Sequence, residues 1–60
     1  MNELDEVVLI KPYNDLNIGT RGKIIHKYNE EDFMVEFYNK YGIVMSLHTV
    51  TIDYLELIKK

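Results

Sequence analysis

Two histidines, several adjacent carboxylates, four hydroxyls and five tyrosines are the side chains here that could do chemistry, and their spacing decides what each is fit for. His26 and His48 are the only imidazoles, and neither stands at a metal-ligand spacing from a carboxylate or from the other on a recognisable element. Their one route to a weak metal or pH-sensitive contact is to approach each other across a small sheet. Asp5-Glu6 and Glu30-Glu31-Asp32 are neighbouring acids. Neighbours in a strand point to opposite faces and neighbours in a turn point into water, so neither group makes a buried acid/base pair. Ser46, Thr20, Thr49 and Thr51 lack a nucleophile elbow or a histidine-acid partner in sequence. Gly19-Thr20-Arg21-Gly22 is not followed by the lysine-serine or helix start of a phosphate loop, so its glycines read as turn and bulge residues. The chain therefore predicts no enzyme, no metal and no cofactor.

Binding chemistry is better represented. Tyrosine offers a large, stiff surface with one polar end, and five in 60 residues exceed what a thin core can bury. Tyr13 falls in a long loop and Tyr54 in a helical turn, so the two are candidates to flank one groove. Tyr38 and Tyr41 border a hairpin. Seven basic against ten acidic residues give a net charge of -3, the wrong sign for a protein that tracks phosphates over its whole surface. The charge is also segregated. Arg21, Lys23 and Lys27 form a basic segment without acids, whereas Glu30, Glu31, Asp32 and Glu36 follow without a base.

The elements that must position these residues are strands. No window carries a capped apolar stripe of period 3.6, while period-2 runs recur about every ten residues. Five strands are predicted within a single domain over 1–60. The first is Asp5 to Ile10, with Val7 and Leu9 on one face and Val8 and Ile10 on the other, so that both faces are partly covered; Pro12 ends it and Lys11 to Ile18 becomes a loop. Arg21 to Tyr28 is long enough to bend and serve both halves of a barrel, with Gly19 and Gly22 allowing the bend. Phe33 to Tyr38 follows with its odd-numbered residues inward, then Ile43 to Val50 with Met45 and Leu47 inward. Thr51 to Tyr54 is expected to form a capped 3-10 turn before Leu55 to Ile58 closes the sheet. The plan is an all-β, five-stranded SH3-like barrel. With no cysteine and no basic, long apolar leader, the sequence predicts a cytoplasmic protein without a membrane span.

Leu4-Asp5-Glu6-Val7-Val8-Leu9, Gly19-Thr20-Arg21-Gly22-Lys23-Ile24-Ile25-His26, Val35-Glu36-Phe37, Gly42, Leu47 and Asp53-Tyr54-Leu55 together resemble a small bacterial domain-of-unknown-function family. Its pattern runs Leu-Asp-x-Val-x-Leu, Gly-x-x-Gly-x-Val-Val-His, Val-Glu-Phe and covers nearly the whole chain. The resemblance implies an SH3-like barrel related in shape to KOW domains and to the small barrel of nitrile hydratase; it implies no activity. Arg21 stands where the family usually has an acid, which makes this segment more basic.

The expected function is a non-enzymatic protein-binding module. Carboxylates placed like phosphates can occupy a basic site built for nucleic acid, the logic of immunity proteins, antitoxins and phage anti-nuclease inhibitors. Glu30, Glu31, Asp32 and Glu36 would supply the charge, with Tyr38 and Tyr41 as anchors. The first alternative is a KOW-like nucleic-acid or ribosome-associated binder using Arg21, Lys23 and Lys27 with Tyr28 for stacking. A structural or homo-oligomeric subunit presenting its tyrosines is the second.

Overall fold

In the computed structural model, which describes residues 1–59, the alternating run of β3 (Asp32–Tyr38) supplies three of the core side chains. Phe33, Val35 and Phe37 are fully buried and the residues between them lie half-buried on the other side, as the period of 2 requires. Around them pack Val7 and Leu9 of β1 (Glu6–Leu9), Ile24 of β2 (Arg21–Lys27), Val50 of β4 (Val44–Thr51) and Leu55 of β5 (Leu55–Leu57). Each such side chain contributes about 1.5–3 kcal/mol on burial, the main stabilising term in a domain this small.

The strands form one antiparallel sheet in the order β4-β3-β2-β1-β5, with a 3-10 turn at Ile52–Tyr54 leading into β5. β2 is the shared strand. Its first residues pair with β1, and Gly22 to Lys27 pair with β3. β4 and β5 are the two edges, and among the described residues no ladder joins them, so the sheet is open. Among the described residues no helix is long and apolar enough to cross a membrane.

Three expectations are corrected. The bend in β2 comes from a bulge at Ile25, between the Ile24 and His26 registers, and not from its glycines. Gly22 instead allows a close approach: a Cβ there would lie 2.7 Å from Val35 Cγ1 and 2.8 Å from the Glu36 carbonyl oxygen. Met45 and Leu47 do not face the core. Phe37, Val35 and Phe33 stand opposite Ser46, His48 and Val50, which turns Met45 and Leu47 outward, 47% and 53% exposed. Finally, the Thr51 hydroxyl does not cap the 3-10 turn; it donates to the Asp53 carboxylate. The second face of β1 is partly covered as expected, through the half-buried Val8, while Ile10 lies exposed beyond the strand.

Candidate functional site

The β2–β3 hairpin is built by Asn29, whose Oδ1 accepts the N–H groups of Glu31 and Asp32 at 2.8 Å each while its Nδ2 donates to Asp32 Oδ2 at 2.9 Å. The Tyr28 N–H donates to the Asp32 carbonyl, and the Ile52 N–H donates to the Glu31 carbonyl at 2.7 Å, tying the hairpin to the 3-10 turn. Glu30 and Glu31 thus project from a fixed backbone. The Glu30 side chain is 88% exposed with Lys27 Nζ 3.3 Å away, a surface pair of small energetic weight. Tyr28 stands beside them with its ring edge-on to His26, centroids 4.6 Å apart. Glu3 reaches the same end, its Oε2 lying 3.3 Å from His26 Nδ1 and accepting the Lys27 N–H.

The remaining residues expected to share this surface lie elsewhere. Glu36 and Tyr38 sit on the outer face of β3, where the Tyr38 hydroxyl donates to Glu36 Oε1 at 2.8 Å. That bond, followed by partial burial, holds the Tyr38 phenol above its usual range. Glu36 stands opposite Lys23, which in turn stands opposite Glu6, so the outer face alternates in sign. Tyr41 belongs to the opposite hairpin, where Asn39 Oδ1 accepts the N–H groups of Tyr41 and Ile43. From Asp32 to Tyr38 the strand spans roughly 20 Å. The six residues therefore fall in three places, and of them only Glu30, Glu31 and Asp32 form an acidic end.

The basic segment is divided as well. Arg21 and Lys23 lie on the outer face, whereas the bulge at Ile25 turns Lys27 to the other side, opposite Phe33. Tyr13 and Tyr54 do meet, but ring against ring, 5.5 Å apart at 89°. The Tyr13 hydroxyl donates to the Thr49 carbonyl at 3.1 Å, Lys11 Nζ lies 5.5 Å from the Tyr54 centroid, and both rings pack on the core. They close the end of the sheet between the long loop and β4 instead of lining an open groove. His48 joins them on the inner face, 5.2 Å from the Tyr13 ring, while His26 is on the outer face; the histidines do not approach each other. No described polar or charged residue is buried as a whole, although the Ser46 hydroxyl itself is shielded from solvent. Asp53 is held below the usual carboxylate range by the Thr51 hydroxyl first and Lys11 second, an arrangement on the exposed surface.

A family model for a domain of unknown function, DUF4926, matches residues 3–57. The chain belongs to the DUF4926 family. No curated protein and no solved structure matches it. The DUF4926 match spans all five strands, so the acidic hairpin lies within the family's core and not in an appendage.

One surface of this DUF4926 domain escapes the sequence reading. The outward turn of Met45 and Leu47 joins them to Tyr41, Ile43 and Val44 in an exposed apolar stripe along an edge strand. β4 itself carries no lysine, glutamate or proline, the residues that usually blunt such an edge. The signal available in the sequence was Val50: counting back from it by twos gives His48 and Ser46 as the inward residues.

Proposed function

We propose that the chain is a non-enzymatic protein-binding module, an acidic inhibitor of the immunity, antitoxin or anti-nuclease type that docks on a basic nucleic-acid-processing protein in the cytoplasm. The observation that carries this reading is the β2–β3 hairpin, which holds Glu30, Glu31 and Asp32 on a backbone fixed by Asn29 and by the Ile52 N–H, beside the half-exposed Tyr28. A rigid hairpin loses little entropy on docking, and clustered carboxylates steer a basic partner. Tyr28 takes the anchor role expected of Tyr38 and Tyr41. The strand order, the shared β2 and the 3-10 turn before β5 support an SH3-like barrel of KOW-related shape as the scaffold.

The nucleic-acid alternative draws less support, because Lys23 stands between Glu36 and Glu6 in register and Lys27 is turned away from Arg21. Charge reversal tests the proposal. The Glu30→Lys, Glu31→Lys double variant is expected to weaken capture of a basic protein partner at least tenfold at low salt, equivalent to about 1.4 kcal/mol. Retention of full affinity at low salt would remove the hairpin as the docking element.

A further inference from the structure

The Ile52 N–H donates to the Glu31 carbonyl across the Asp32–Thr51 pair, which identifies that pair as one whose own backbone groups point away from each other. Alternation then fixes the rest of the ladder. Val50, His48 and Ser46 exchange hydrogen bonds with Phe33, Val35 and Phe37, whereas Thr49 and Leu47 direct their N–H and C=O groups to the free edge. The Tyr13 hydroxyl, which reaches the Thr49 carbonyl from outside the sheet, agrees with this assignment and covers that end. Toward the other end the bulge at Met45 interrupts the ladder between Tyr38 and Phe37. The open part of the edge is therefore a short window centred on Leu47.

We infer that this window pairs antiparallel with the same window of a second copy, about a two-fold axis at Leu47. Self-pairing fits the chemistry on three counts. Leu47 would exchange both backbone hydrogen bonds with the partner's Leu47, and the two side chains would meet on the outer face. Ser46 would stand opposite the partner's His48 at the closer, non-hydrogen-bonded spacing of about 4.5 Å between Cα atoms. The Ser46 hydroxyl is the one buried side-chain polar atom without a hydrogen-bond partner among the described residues, and the His48 ring makes only ring contacts, with Tyr13 and Phe37. Each supplies what the other lacks. The window Met45 to Thr49 also contains no charge. The nearest acid, Glu36, lies one strand inward, so two copies of it would sit roughly 14 Å apart, beyond the Debye length of about 8 Å at physiological salt.

Because Tyr13 limits the ladder at Thr49, the interface is small and the dimer weak, with a dissociation constant on the order of 0.1–1 mM. It leaves the acidic hairpin of each copy at opposite ends and free.

Sedimentation velocity on the whole chain from micromolar to millimolar concentration tests the inference, paired with amide exchange read by NMR. The wild type is expected to sediment faster as concentration rises, with Leu47 N–H exchange slowing in parallel. Leu47→Asp is expected to stay monomeric. Ser46→Ala removes a hydroxyl that is unbonded in the monomer, so it is expected to keep monomer stability while weakening association severalfold. A wild type that remains monomeric at millimolar concentration would overturn the inference and leave the edge to a different protein. Association undiminished by Leu47→Asp would overturn it as well, by placing the contact on another face.

Discussion

Gly22→Ala should be among the most damaging single-atom additions to this protein. The new Cβ would sit 2.7 Å from Val35 Cγ1, 2.8 Å from the Glu36 carbonyl oxygen and 3.0 Å from Phe37 Cδ1. Ordinary contacts between such atoms are about 3.5–4.0 Å. The carbonyl cannot swing away, because β3 is held on both sides by β2 and β4, and the Phe37 ring is part of the core. Overpacking of this kind costs about 1–3 kcal/mol, and the rigidity of two of the three neighbours places it at the upper end. Alanine recovers about 0.4–1 kcal/mol by restricting the unfolded chain, which leaves a net loss of roughly 2 kcal/mol. At about 0.05–0.15 kcal/mol per residue a 60-residue domain has a total of roughly 3–9 kcal/mol, so about a fifth to two thirds of the stability is at stake. Thermal unfolding followed by circular dichroism should show Tm lowered by roughly 8–16 °C, and urea unfolding a lower midpoint at unchanged slope. Gly19→Ala is the control. Gly19 has φ +95 but open space around it, so only its left-handed backbone is penalised, by about 1–2 kcal/mol. A Gly22→Ala variant within about 0.5 kcal/mol of wild type would refute the close-packing account of this position.

Tyr13→Phe removes the bond to the Thr49 carbonyl and should cost about 0.5–1.5 kcal/mol in urea unfolding, with faster exchange of the neighbouring β4 amides. Thr51→Ala should raise the Asp53 pKa toward the ordinary range, read by carboxyl NMR titration. Because the folded-state value is depressed, the stabilisation from Asp53 is present above the unfolded pKa of roughly 4 and lost as pH falls through the folded value, so the variant should show a smaller acid-side loss than wild type. Glu36→Gln should lower the Tyr38 pKa, seen as an earlier tyrosinate step in absorbance. Tyr38 has a raised value, so its contribution is complete below about pH 10 and disappears as pH rises through the folded pKa; the variant should lose less stability across that window.

Local alternation made most of this fold legible. Phe33, Val35 and Phe37 announce β3 and its inward face, and Pro12, Asn29 and Asn39-Lys40-Tyr41-Gly42 mark the breaks between strands. β4 was ambiguous because apolar residues occupy both phases of Val44 to Val50. A one-residue choice flips the whole strand, and pairing with β3 made that choice in favour of Ser46, His48 and Val50. The bulge at Ile25 was equally hidden, since its cause is a register across two strands and not a glycine. It is also what moved Lys27 out of line with Arg21 and Lys23. Of the candidate site, the acidic turn was legible from Asn29-Glu30-Glu31-Asp32, while the placement of Tyr28 beside it required the hairpin geometry.

The most direct test of the docking proposal is a tagged pull-down of the whole chain from lysate of its native host, with and without nuclease treatment, read by mass spectrometry. The account predicts a basic nucleic-acid-processing protein that is retained after nuclease treatment and released by the Glu30→Lys, Glu31→Lys variant. Recovery of ribosomal or other RNA-bound proteins that vanish on nuclease treatment, with the charge-reversed variant binding equally well or better, would contradict it.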